Sequence, residues 1–155
     1  MISPEVLRKY MFFSFLDEGQ FSKIAMIADE VAWKAGDQVF GINKDADFLF
    51  LLETGEIELH YAVKDELISE KSKEFFIGLI NPGEAFGLSA VIEPYQYTAI
   101  AIAPSDSAGI KVDAKKLRQL AEEDSHLGYA FMAQVAKSAF ERLSSVRVEL
   151  AAARS

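Results

Sequence analysis

Between residues 31 and 112 the apolar positions of this 155-residue chain recur in short runs, and glycine-bearing turns separate them. Val31 and Trp33 open a strand that stops at Lys34-Ala35-Gly36-Asp37, and residues 39–41 make a second. Residues 48–53, FLFLLE, are apolar almost without interruption, the pattern of a buried strand. After Thr54-Gly55-Glu56, the apolar Ile57, Leu59 and Tyr61 alternate with Glu56, Glu58 and His60. That alternation predicts a half-buried strand paired with the one before it. Residues 64–74 are charged and hold no large core, and a mobile hairpin tip is expected there. Residues 75–80 return as a strand, and 97–103 and 108–112 supply the last two.

Outside this region the period is helical. Ser3-Pro4-Glu5 offers an N-cap, a proline at the first helical position and an acid in the first turn, which predicts a helix to about residue 13. Residues 17–20 read as a break around Gly19, and Phe21, Ile24, Ala25 and Ala28 then share one face of a short helix. Asp113 caps a helix over 114–122, and Asp124-Ser125 start a longer one that reaches about residue 152. Short strands with glycine turns, flanked by helices at both ends, argue one mostly-β domain built as an antiparallel barrel or jelly roll. Its parts are N-terminal helices over about 3–28, a barrel over about 31–112 and C-terminal helices over about 114–152.

Charge and composition narrow the chemistry. The net charge is −8, with 24 carboxylates against 16 lysines and arginines, which disfavours nucleic acid and anionic membranes. There is no cysteine, so disulfides and thiolate chemistry are excluded and a reducing, cytoplasmic setting is expected. The apolar run MFFSFL is too short for a membrane span. His60 and His126 are the only histidines and stand far apart, which argues against a cupin-type metal enzyme; His60, between acids on a strand's polar face, is expected to be solvated. Nothing in the sequence places a catalytic residue or a metal ligand.

The stretch with most chemical character is residues 81–99, NPGEAFGLSAVIEPYQYTA. Pro82-Gly83 turns the chain, and Phe86-Gly87 leads into the small-residue turn Leu88-Ser89-Ala90-Val91. A glycine followed by a helical turn offers backbone N–H groups to an anion. In order and spacing, Gly36-Asp37, Gly55-Glu56, Pro82-Gly83-Glu84, Phe86-Gly87, Thr98-Ala99 and the long last helix resemble the cyclic-nucleotide-binding domain of catabolite-activator-type regulators and kinase regulatory subunits. The resemblance spans roughly residues 12–150. It implies a jelly-roll, or double-stranded β-helix, fold with no catalytic activity. It also implies a phosphate-binding cassette made of Phe86, Gly87, Leu88, Ser89, Ala90, Tyr97, Thr98 and Ala99.

Two positions depart from the family pattern. Leu88 stands where the family places a ribose-binding glutamate, and Tyr97 where it places a phosphate-binding arginine. No lysine or arginine lies between Lys73 and Lys111. Tyr97 is expected either to line a ligand or to close the site. The function expected is a non-enzymatic regulatory module that senses a cyclic nucleotide or related small anion and signals through its C-terminal helix; the alternative is a dimerisation module whose pocket no longer works. The chain ends soon after the long helix, where catabolite-activator-type regulators carry a DNA-reading domain, so direct DNA binding is not expected.

Along that helix Met132, Ala136, Ala139, Leu143, Val146 and Leu150 alternate four and three apart, the spacing of a coiled-coil seam. The family resemblance also implies a homodimer through this helix. Leu127, Phe131, Val135 and Phe140 form a second apolar set, expected to pack on the barrel while the first meets a partner.

Overall fold

The computed structural model describes residues 1–64 and 72–155. Helix α1 (Pro4–Arg8) starts at Ser3, whose side chain accepts from the Glu5 N–H, and a short 3-10 turn, Met11–Phe13, follows. The helix expected to continue to residue 13 is therefore broken at Lys9 and Tyr10. Helix α2 (Glu18–Met26) begins earlier than its apolar face suggests. Asp17 is its N-cap rather than part of a break: the Asp17 carboxylate accepts from the Gln20 N–H and the Gln20 side chain accepts from the Asp17 N–H, at 2.8 and 3.0 Å. This reciprocal cap satisfies two otherwise unpaired donors, and it outweighs the helix penalty of Gly19.

Among the described residues eight strands follow: β1 (Ala28–Trp33), β2 (Gln38–Phe40), β3 (Phe48–Thr54), β4 (Ile57–Lys64), β5 (Ser72–Ile80), β6 (Ala85–Phe86), β7 (Ile100–Ile102) and β8 (Ser107–Asp113). They form two four-stranded sheets, in the orders β1-β8-β3-β6 and β2-β7-β4-β5, with antiparallel pairing throughout. This is the jelly-roll arrangement, as two facing sheets rather than a closed barrel. The expected pairing of residues 57–61 with the run before them does not occur. Strand β3 pairs with β8 and β6, while β4 pairs with β5 and β7. The reason lies in β3 itself, whose Leu49, Phe50, Leu51 and Leu52 are all buried, so it needs cover on both faces. Gly55, with φ of +88°, lets the chain cross to the other sheet. The Ser107 hydroxyl fastens the crossing: it accepts from the Glu56 N–H at 3.1 Å and lies 3.0 Å from the Glu56 carbonyl.

The hairpin strands reach further than expected, since Lys73 and Glu74 pair with Val63 and Ala62; the remainder of the expected mobile tip, residues 65–71, lies outside the described residues. His60 is not solvated. Its ring is 18% exposed and sits between the Glu58 and Glu74 carboxylates at 3.0 and 3.3 Å, because β5 brings Glu74 and the Phe76 ring alongside it. The last expected strand but one is shorter than predicted, and Tyr97 stands outside β7.

Asp113 caps α3 (Ala114–Glu123) and Asp124 caps the 30-residue α4 (Ser125–Arg154). The Gln20 side chain also donates to Asp124 at 3.2 Å, tying α2 to the start of α4. These bonds, led by the one from the Leu127 N–H, hold the Asp124 carboxyl below its usual range. The buried apolar side chains of α4 are Leu127, Phe131 and Val135, in its first half, where Phe131 meets Phe12 edge-on at 5.9 Å. Phe140, expected to join them, is 65% exposed. No described helix is long and apolar enough to cross a membrane.

At Gly109, β8 lies so close to β3 that any Cβ would overlap the Leu51 carbonyl. Overpacking of this kind typically costs about 1–3 kcal/mol, and more when the obstacle is backbone. Gly109→Ala is expected to lose at least about 3 kcal/mol of unfolding free energy in urea titration.

Candidate nucleotide-binding cassette

The expected cassette folds with its backbone frame intact. Gly87 holds φ at +72°, which a side chain would strain, and a 3-10 turn, Leu88–Val91, follows it. Two arginines from the C-terminal helices bind the backbone of this region. Arg118 on α3 donates to the Ala90 carbonyl at 2.6 Å, and its guanidinium lies over the Tyr95 ring at 3.9 Å. Arg142 on α4 donates to the Ala85 carbonyl at 2.6 Å. Burial draws the Arg142 guanidinium below its usual pKa, against the opposing charge of Glu84.

Tyr97 is buried in the sandwich. Its backbone is clamped by residues 43–44: the Asn43 N–H donates to the Tyr97 carbonyl, and the Tyr97 N–H donates to the Lys44 carbonyl, at 2.8 and 2.9 Å. Its ring stacks on Phe40 with centroids 3.7 Å apart and planes within 9°. Its hydroxyl donates to the Phe48 carbonyl at 2.7 Å and accepts from the Phe48 N–H at 3.3 Å. Phe40 stacks in turn near Phe50 and Phe86, and Trp33 closes the cluster against both, with centroids 5.8–6.3 Å apart. Aromatic rings thus fill the space between the sheets, where pairs of this kind add about 0.5–1.5 kcal/mol each beyond their area.

Of the sequence-predicted site residues, the structure brings Phe86, Gly87 and Tyr97 together; the Tyr97 ring, Phe50 and the Phe48 carbonyl all crowd Gly87. Ala90 is fully buried and Leu88 packs against the core, while Ser89 is half-buried, Thr98 exposed and Ala99 buried. The residues that sequence reasoning missed are Phe40, Phe48, Arg118 and Arg142. Phe40 and Phe48 bear no motif, and the arginines come from distant helices, so no local spacing could have pointed to them. No group of three or more histidine and acidic side chains among the described residues is placed to hold a metal. A large groove, of about 1290 Å³, lies between the β4–β5 hairpin and α4 and reaches the cassette's Ala85 end, where Glu84 and Arg142 line it.

Burial pushes the Tyr97 phenol up to about 12, and Tyr10 moves likewise to about 12. The folded chain therefore keeps phenolic protons that the unfolded chain releases above pH of about 10. Stability is expected to be whole below that pH and to fall as pH rises toward 12, and Tyr97→Phe should flatten the fall in urea titrations across this range. At neutral pH, Tyr97→Phe leaves the Phe48 backbone groups unpaired and should cost about 1–3 kcal/mol. Tyr97→Ala should cost about 3–5 kcal/mol, as for other large aromatic truncations.

Comparison with known proteins fits this geometry. No curated protein matches the chain in sequence. Residues 30–124 match the family described as "Cyclic nucleotide-binding domain". A solved chain from Geobacter metallireducens GS-15, assigned to cyclic nucleotide binding, is 35% identical, with 92% of this chain and 99% of that one covered and a TM-score of 0.81. The N-terminal domain of a Streptomyces coelicolor A3(2) transcriptional regulator is 21% identical over 90% of this chain and 94% of its own, with a TM-score of 0.67. A cyclic nucleotide-binding domain from Methylobacillus flagellatus KT is 16% identical over 94% of this chain and 78% of its own, at 0.75. The last two show the fold alone. The family's domains are typically regulatory rather than catalytic, and its model and the Geobacter chain together carry the assignment: the protein belongs to the cyclic nucleotide-binding domain family.

Proposed function

We propose that this chain is a regulatory module of its family whose cassette is closed by its own Tyr97, and that it acts as a homodimer through α4 rather than by capturing a cyclic nucleotide. The observation that carries the reading is the Tyr97 ring stacked on Phe40 at 3.7 Å, with its hydroxyl on the Phe48 carbonyl. It stands at the position where the family resemblance puts a phosphate-binding arginine. A nucleotide in that place would expose a buried ring and strip the Phe48 backbone of its partner. Together these cost roughly 2.5–6 kcal/mol, or about two to four decades of affinity.

The nearest described cation, the Lys111 ammonium, lies over the Phe48 ring at 4.5 Å. Arg118 and Arg142 are spent on the Ala90 and Ala85 carbonyls. Leu88 offers no acceptor to a ribose. The sensor reading retains one observation in its favour, the left-handed Gly87 and its following turn, which keep the frame of a phosphate cradle. The dimer is supported by the seam: Met132, Leu143, Val146 and Leu150 stand 39–50% exposed, and Ala136 and Ala139 are exposed between them. A continuous apolar stripe on a free helix is the signature of a missing partner.

Thermal melting with cyclic AMP or cyclic GMP separates the readings. At about 1 mM ligand a micromolar binder would gain about 4 kcal/mol, which is a rise of many degrees. The wild type is expected to show none, and such a rise would restore the sensor reading. Leu88→Glu with Tyr97→Arg supplies the two missing contacts and is expected to gain a response. Sedimentation should find the wild type dimeric and Leu143→Asp monomeric.

A further inference from the structure

Histidine is the side chain whose charge ordinarily changes near neutral pH, and this chain has two, His60 and His126. His126 stands exposed at the start of α4. His60 lies in the middle of β4 with its ring largely covered, and both ring nitrogens meet a carboxylate. Nε2 is 3.0 Å from Glu58 Oε2, and Nδ1 is 3.3 Å from Glu74 Oε1. The two acids come from different strands, Glu58 from β4 and Glu74 from β5. Strand β5 also brings the Phe76 ring edge-on to the imidazole at 5.8 Å, and β7, on the other side of β4, sets the uncharged Ile100 opposite it. Among the described residues, Glu58 and Glu74 are the charged groups in contact with the ring.

Donor counting makes this arrangement depend on a proton. An ionised carboxylate only accepts, and a neutral imidazole has one N–H and one bare nitrogen. Neutral His60 can donate to Glu58 or to Glu74, and its bare nitrogen then faces the other carboxylate. The imidazolium donates to both, and bonds between charged partners are the stronger kind. The cluster stands where the ladder is interrupted. Pairing shifts between Leu59 and His60, and beyond the shift Glu74 lies opposite Ala62, so the contact from His60 to Glu74 reaches diagonally across the hairpin. The outer arm of the hairpin, residues 61–64 with 72–75, has little else to hold it. Strand β5 is the edge of its sheet, and Tyr61, Val63 and Phe75 are 45–51% exposed. Few buried apolar contacts and an open edge mark a segment of low local stability.

We propose that His60 is a proton-operated clamp on the β4–β5 hairpin: as the imidazolium it joins Glu58 to Glu74, and on losing its proton it releases one of them. The clamp is complete between the ordinary carboxylate and imidazole ranges, about 4.3 and about 6.5. Closing of the outer arm is therefore favoured in that window and weakened as pH rises through the imidazole range. Below the window the carboxylates gain protons and the clamp fails from the other side. Tyr61 and Phe75 of the arm also line the groove beside α4, so opening the arm alters that wall. The cluster lies outside the cassette, and this input does not need the space that Tyr97 fills.

Amide hydrogen exchange on the whole chain, corrected for intrinsic rates, tests this. Amides of residues 61–63 and 73–75 that are paired across the hairpin should be about threefold better protected at pH of about 5.5 than at about 8, the size of a partly exposed ion pair. Those of β3 and β8 should keep the same protection at both. His60→Gln carries one donor and one acceptor at every pH and should abolish the difference. Glu74→Gln, which alters a half-exposed side chain, offers the neutral ring a donor and should hold the arm closed at both pH values. His126→Gln should leave the wild-type difference in place.

Equal protection of the wild-type arm at the two pH values would overturn the clamp. So would a difference that survives in His60→Gln, or one that disappears in His126→Gln. None of these outcomes bears on the cassette or on the dimer, which the melting and sedimentation experiments test separately.

Discussion

Burying a phenol without a hydrogen-bond partner is costly, and the shape of this protein's cassette follows from the partner Tyr97 finds. Its hydroxyl meets both backbone groups of Phe48 at the start of β3, and its ring lies flat on Phe40 from the opposite sheet. One side chain thus joins the two sheets beside the glycine turn. Phe50, Phe86 and Trp33 complete the same stack. The cassette's glycine turn then packs against a ring instead of facing a cavity. Leaving a hydroxyl of this kind unpaired costs several times what a surface ion pair contributes. The closed state is therefore favoured by packing and hydrogen bonding together.

The helices that follow are tied to that closed core. Arg118 and Arg142 each give a charged donor to a carbonyl at the edge of the cassette, from α3 and α4 respectively. Bonds from charged donors are worth about 1.5–3 kcal/mol, more than a neutral pair. A change in the position of α4 must therefore either carry the Ala85 end of the cassette with it or break that bond. Here the same links join a filled pocket to a helix whose apolar seam lies open.

Much of this was legible in the chain. The glycines at 36, 55 and 83 all take positive φ, as tight turns between strands demand. Ser3, Asp113 and Asp124 cap the helices that their side chains announce. The departures at Leu88 and Tyr97 were visible as residue types, and so was the seam as a spacing. What was hidden depended on partners distant in sequence. That β3 and β4 part into different sheets depends on what covers β3. That Asp17 caps a helix containing Gly19 depends on Gln20 closing the reciprocal bond. Whether Tyr97 lined or closed the site turned on Phe40 and Phe48.

The central claim is that the space between the sheets is taken, and a crystal structure grown with millimolar cyclic AMP tests it most directly. The account predicts Tyr97 stacked on Phe40, its hydroxyl on the Phe48 carbonyl, and no nucleotide between the sheets. Density for a nucleotide against Gly87, with the Tyr97 ring swung away from Phe40, would contradict it.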